Sequence, residues 1–353
     1  MDRLFCSITA FQLLRMPPIA FSYPKGEEDL AARAGMRGMC RADRPLGALD
    51  KPLHILVDDR RRSFRTPNLI THVRDLTAFP NQTLELAEGM HVTSPLLTLL
   101  TMAPDISTIE LAMAMNELCG SYAVFSPDDG LRSWLQALAD AGELPAIDGW
   151  RPVRDRQGRL TDLWSRPPLL HTDAIARFAE GISGVAGRKR FAQAAGLVFD
   201  NAASPLETQA AMRLGVPRRW GGAGFDRLRL NPRIQLDRSA RLISGKSVCY
   251  ADALLENPER TKAVIVECQS ALIHDSWESA LDDATRLAAL QSMGYLVVPV
   301  TYAQLCDEQV FRQIAAHIAR ELGVPFRPKT PALLAREREL CRYLFSDWTR
   351  LGR

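Results

Sequence analysis

The chain has 353 residues, with 44 Lys and Arg against 41 Asp and Glu, a formal net charge of +3, and a composition 46% hydrophobic and 24% charged. This balance is that of an ordinary folded domain and excludes a disordered, highly charged chain. No apolar run reaches the roughly 18 residues that a membrane helix needs, and the first 20 residues lack the basic–apolar–cleavage order of a signal peptide, so neither a membrane partner nor export is expected.

Ser7–Arg15 reads as a short amphipathic helix, stopped by Met16-Pro17-Pro18, because proline cannot continue it. Residues 22–45, rich in Gly, Arg and Pro, read as loop. Leu53–Val57 and Leu69–Val73 read as two strands flanking the turn Asp58–Arg62. Ser94-Pro95 places a cap ahead of a proline at the first helical position. Ser107-Thr108-Ile109-Glu110 is a capping box opening a helix that ends near Gly120. These elements predict a mixed α/β N-terminal domain over residues 1–120. Residues 121–170 are rich in Pro, Asp and Gly, with one helix over Leu131–Ala141, and read as a linker or insertion.

The remainder, residues 171–326, predicts an α/β domain. Helices are expected over Thr172–Ile182 and Lys189–Phe199, and a further one opens at Ser204-Pro205-Leu206-Glu207. Ser247–Leu255 and Lys262–Gln269 read as strands, the second near-continuously apolar as befits a strand buried on both faces. Ser276–Met293, closed by Gly294, is a helix. Residues 295–300 form a third strand, and Asp307–Leu322 a final helix before Gly323. Residues 327–353 are expected to add a helical tail. The seven cysteines are odd in number, scattered and without a C-x-x-C, which speaks against a disulfide framework or a zinc site and for a reducing cytoplasm.

Three acids stand at chemically telling places in the C-terminal domain. Glu207 lies on the opening helix, Asp252 in the first expected strand, and Glu267 at the end of the second, with Gln269 two residues on and sharing its face. Oxygen ligands from two adjacent strand ends are what Mg²⁺ takes, with water and phosphate completing its shell. Such an ion activates water and neutralises a phosphodiester transition state. Each acid also has a bland reading. Ser204-x-x-Glu207 is itself a capping box. Asp252 suits a solvated edge strand. Glu267 suits a strand emerging into solvent. His274 fits proton transfer or an ordinary loop position.

Glu207, Asp252 and Glu267-x-Gln269, set on helix, strand and strand, resemble the PD-(D/E)xK nuclease superfamily, and more closely its Vsr-like domains. Val266-Glu267-Cys268-Gln269-Ser270, then His274, Asp282, Asp283, Arg286, Gly294 and Tyr295, carry that likeness over residues 200–323. The resemblance implies a restriction-endonuclease-like domain with a central mixed sheet flanked by helices, α+β overall. It implies Mg²⁺ or Mn²⁺ on Asp252 and Glu267 with support from Glu207, water orientation by Gln269, and proton transfer by His274. Gln269 stands where the superfamily usually has lysine; glutamine aligns a water but carries no charge. Leu53–Val57, His91–Pro95 and Glu117–Gly120 are similar to AbiEi-type antitoxins of abortive-infection systems. That likeness implies an alternative, a non-catalytic regulator with a cognate toxin.

The near-neutral total conceals an uneven distribution. Residues 213–246 hold nine basic residues and two acids, a net +7 in 34 residues. Arg218, Arg219, Arg227, Arg229, Arg233 and Lys246 are the candidate phosphate contacts, with Trp220 and Phe225 as candidate stacking aromatics. Arg286 fits either a phosphate contact or a helix-surface ion pair with Asp282, four residues away. The sequence thus predicts a metal-dependent nuclease or nuclease-derived DNA-binding protein in phage defence or mobile-element biology, with DNA as the favoured partner. It leaves the oligomeric state open.

Overall fold

The computed structural model describes residues 4–23, 49–87, 89–269 and 277–352. Strand β1 (Leu4–Phe5) runs into helix α1 (Ser7–Leu14), and strands β2 (Leu53–Val57), β3 (Leu69–Val73), β4 (Thr83–Ala87) and β5 (Met90–Thr93) follow. They form one mixed sheet in the order β3-β2-β1-β5-β4. Helices α2 (Pro95–Met102) and α3 (Thr108–Cys119) come next, and both starts are built as their sequences predict. Ser94 accepts the Leu97 N–H, and Ser107 and Glu110 satisfy one another's backbone groups in a full capping box. A cap of this kind stabilises a helix by about 1 kcal/mol.

The stretch read as linker is an ordered unit. Strands β6 (Tyr122–Val124), β7 (Arg151–Arg154) and β8 (Leu160–Ser165) form an antiparallel sheet in the order β6-β8-β7, with α4 (Asp129–Asp140) after β6. Its prolines and glycines fill the turns between short strands, which is why composition alone suggested a linker. Helices α5 (Thr172–Gly181) and α6 (Arg188–Ala195) lead on to the acid-bearing half.

That half runs α7 (Pro205–Gly215), β9 (Leu228–Leu230), β10 (Arg233–Gln235), α8 (Arg238–Ser244), β11 (Val248–Tyr250), β12 (Ala253–Glu256), β13 (Ala263–Gln269), α9 (Trp277–Ser292), β14 (Leu296–Thr301), α10 (Tyr302–Cys306), α11 (Glu308–Leu322) and α12 (Pro331–Leu344). Its sheet has the order β14-β13-β12-β9 and is mixed: β12 pairs antiparallel with β9 and β13, whereas β13 and β14 are parallel across α9. Side chains alternate between two cores. Ala253, Leu255, Val264, Val266, Val298 and Val300 join the large core that also holds α7 and α11 residues. Leu254, Ile265 and Val297 face the other way, with Ala289 and Leu290 of α9. The protein is therefore α+β with several sheets, and in its acid-bearing half a mixed sheet is flanked by helices on both faces. Gly294 (φ +85°) and Gly323 (φ +71°) adopt the left-handed backbone that ends α9 and α11 as expected.

Two buried ion clusters tie distant parts together. Arg15, the residue that caps the end of α1, grips Glu117 of α3 through Nε at 2.7 Å and Nη2 at 2.9 Å, and the same guanidinium donates to the Trp348 carbonyl at 2.7 Å. Glu337 of α12 is fully buried between Arg213 of α7 (3.4 Å) and Lys329 (3.1 Å), while the Arg213 guanidinium lies 3.8 Å from the centre of the Phe311 ring. The expected helical tail is thus not a free appendage, because it buries Glu337. The periodicity of α12 does not reveal that a basic side chain from α7 would need it. Among the described residues, no helix is long and apolar enough to cross a membrane, and the six described cysteines are free.

Candidate functional site

The expected strand Ser247–Leu255 is broken where the acid lies. β11 ends at Tyr250 and β12 begins at Ala253, so Ala251 and Asp252 form a bend between two sheets. β12 is an interior strand between β9 and β13, which removes the solvated-edge reading of Asp252. The bend frees the Asp252 side chain to replace a ladder bond. Its Oδ2 accepts the Cys268 N–H at 2.7 Å, and in return the Asp252 N–H lies 3.4 Å from Glu267 Oε1. The two strand-end acids are thus interlocked across the β12–β13 pair.

Glu207 joins them from α7. It is buried, and its carboxylate closes the helix start: Oε2 accepts the Ala203 N–H at 2.7 Å and Oε1 accepts the Ser204 hydroxyl at 3.0 Å. The capping reading is therefore correct, and it coexists with a second role. Asn231 donates from Nδ2 to Glu207 Oε2 at 2.6 Å, and its backbone N–H donates to the Asp252 carbonyl at 3.1 Å. Burial, and then the charge of Asp252, push the Glu207 carboxyl up to about 7. Asn231 bridges two of the three acids, yet in sequence it is only an Asn-Pro turn, with nothing to mark it. The Cys268 thiol, partly buried beside the same acids, is pushed well above its ordinary range by burial and by Asp252, Glu207 and Glu267.

Glu267 follows the alternation of Ile265, toward α9, where its Oε2 meets Arg286 Nη2 at 2.8 Å. Arg286 does not make the expected pair with Asp282. That acid is held instead by Lys246 at 2.7 Å. Gln269, on the same strand face as Glu267, is exposed. Glu267, Gln269 and Arg286 all line a cavity of about 1280 Å³. Arg156 and Asp162 of the middle sheet, Gln209 of α7 and Trp348 line it as well, so the 121–165 unit forms one wall of the cleft. His274 lies outside the described residues.

The basic segment is less bare than its composition suggests. Arg213 is buried, Arg218 donates to the Pro328 carbonyl, Arg229 pairs with Glu256, and Lys246 with Asp282. Arg219, Arg227 and Arg233 are exposed. Of the two candidate stacking aromatics, Phe225 is buried in the large core and Trp220 is partly buried against it. No protein-family model matches the chain, and no curated protein or solved structure matches it.

Proposed function

We propose that this chain is a phosphodiester hydrolase acting on DNA, a nuclease on a restriction-endonuclease-like α/β scaffold, with a place in phage defence or mobile-element biology. The observation that supports this reading is the interlock of Asp252 and Glu267 at adjacent strand ends, with Glu207 of the opening helix set against Asp252. With β9, β10, α8 and β11 inserted between α7 and β12, the elements α7, β12, β13, α9 and β14 follow one another in the helix–strand–strand–helix–strand order of the resemblance.

Carboxylate oxygens are the donors Mg²⁺ or Mn²⁺ prefers, and Mg²⁺ commonly takes only one or two of them. Among the described residues, no group of three or more His, Cys, Asp and Glu side chains is placed to hold a metal ion. Glu207 therefore does not complete a three-acid set with them, and an ion would be held by Asp252 and Glu267 as a pair, with water and phosphate supplying the remaining ligands. A bound ion supplies charge neutralisation at the phosphate and a more acidic water. The chain's own side chains do the rest. Arg286, 2.8 Å from Glu267, brings the positive charge that Gln269 lacks and offers a fork for a phosphate. The Gln269 amide orients a water. Glu207 holds or releases a proton near neutral pH and so sets the charge beside Asp252.

A second reading, a nuclease-derived protein that binds DNA without cutting it, is favoured by one observation: Arg286 already neutralises Glu267. One experiment separates the two. Purified protein is incubated with Mg²⁺ or Mn²⁺ and labelled duplex DNA, single-stranded DNA and RNA. Cleavage that EDTA, Asp252→Ala and Glu267→Ala abolish is the expected result. Salt-dependent binding with no cleavage supports the second reading. Neither binding nor cleavage overturns both.

A further inference from the structure

Between β9 and β12 the chain leaves the main sheet and forms an antiparallel ribbon of β10 and β11, joined through α8. Ile234 and Cys249 on its inner face are buried in the core shared with α9. Its outer face carries Arg233, Gln235 and Tyr250, all exposed, with Tyr250 at 53%. Arg233 and Tyr250 are direct cross-strand partners, which places their Cβ atoms about 4.5–5.5 Å apart. The adjoining α8 leaves Leu242 exposed at 82% and Ile243 at 43%.

The charge of the ribbon and α8, residues 233–250, is predominantly basic. Arg233, Arg238, Arg241 and Lys246 are exposed, and Lys246 is matched by Asp282. The acid inside the excursion, Asp237, uses its carboxylate to cap α8 by accepting the Ala240 N–H at 2.8 Å. An exposed ring beside an arginine, on a cationic surface, suits a partner with flat apolar faces and negative charge. Duplex DNA hides its base faces in the stack, whereas an unpaired strand presents them. The location agrees: Arg286 reaches the Tyr250 carbonyl with Nη1 at 3.5 Å while Nη2 holds Glu267. Tyr250 is thus one side chain away from the acidic site.

We propose that the outer face of the β10–β11 ribbon is a platform for an unpaired nucleic-acid strand, with a base stacked on Tyr250 and the neighbouring phosphate held by Arg233. The proposal rests on the nucleic-acid reading above, but not on cleavage. The test is fluorescence anisotropy of the full chain with a labelled oligothymidine, longer than the roughly 4–16 nucleotides of a single-strand site, and with a duplex of equal length. Oligothymidine binds more tightly than duplex. Tyr250→Ala weakens oligothymidine binding by roughly 5- to 150-fold, the equivalent of one lost stack, and Tyr250→Phe, which keeps the ring, retains it. Arg233→Ala weakens binding and lowers the salt slope by about one. Tight binding that Tyr250→Ala leaves unchanged, or a preference for duplex, overturns the platform and leaves the nucleic-acid reading standing. Binding to neither probe overturns both. So does a Tyr250-dependent self-association without any nucleic-acid affinity.

Discussion

Arg286 of α9 and Glu267 of β13 meet at 2.8 Å, a pairing that neither sequence reading of Arg286, phosphate contact or pair with Asp282, foretells. Charge neutralisation at a reacting phosphate is strongest from a fixed donor in a water-poor cleft. Arg286→Ala is expected to lower cleavage on the order of 10²-fold, and Arg286→Lys to retain more of it. Equal rates for the two variants would mean that the pair only fixes α9 against the sheet.

Asp252 has a structural duty that can be separated from its chemistry. Asp252→Ala leaves the Cys268 N–H without its acceptor, and an unsatisfied buried donor costs about 1–3 kcal/mol. Asp252→Asn keeps an acceptor oxygen and loses the charge. Urea denaturation should show the alanine variant to be the less stable of the two, while both lose cleavage. Cleavage surviving in the asparagine variant would remove Asp252 from the mechanism.

Glu207 gives the protein a distinctive pH dependence. Its folded-state pKa is raised from 4.5 to about 7, so between these values the folded state binds more protons than the unfolded one. Stability from this group is complete below about pH 4.5 and is lost as pH rises through 7, by on the order of 3 kcal/mol if nothing relaxes. Glu207→Gln is expected to flatten the stability profile between those pH values. A profile unchanged by the substitution would place the proton elsewhere.

His54 and His72, on neighbouring strands β2 and β3, work in the opposite direction. Their Nδ1 and Nε2 atoms lie 2.8 Å apart, room for one shared proton. Burial first, and then the charge of His72, lower His54 from 6.5 to about 4, and burial lowers His72 as well. The unfolded chain binds more protons in this window, so stability falls as pH drops from about 6.5 toward 4. In a Glu207→Gln background, which removes the opposing Glu207 contribution, chemical denaturation at pH 7 and pH 5 should differ by roughly 1–3 kcal/mol. His54→Gln should remove most of that difference.

Glu337 is the anion that lets Arg213 stay inside. Removing one partner of a buried ion pair typically costs about 3–5 kcal/mol, because the other charge is left uncompensated. Glu337→Ala is expected to destabilise the protein by that much in thermal denaturation, and Arg213→Met with Glu337→Leu to recover much of it. An undisturbed Glu337→Ala variant would show that water compensates Arg213.

Local chemistry made part of this protein legible. The cap at Ser94, the box at Ser107 and the glycines after α9 and α11 act within a few residues, so the chain reads them without a partner. The alternation and apolar runs of β13 and β14 likewise announce strands buried on both faces. The same reading found Glu207, Asp252, Glu267 and Gln269, because acids inside apolar strands or at helix starts stand out. It left residues 121–170 as a linker or insertion because short strands with turns rich in Pro and Gly have no periodicity to show.

The sequence by itself determined α7, β13, α9, β14 and α11 in the acid-bearing half and singled out the acids Glu207, Asp252 and Glu267, but it did not show β9, β10, α8 or α10. The tertiary structure alone decided who meets whom. It broke the expected strand at Asp252, brought Asn231 between Glu207 and Asp252, gave Glu267 to Arg286, buried Arg213 on Glu337, and put Phe225 in the core while leaving Tyr250 outside. Periodicity and capping depend on neighbours three or four residues apart, whereas charge pairing and burial depend on elements that only folding brings together.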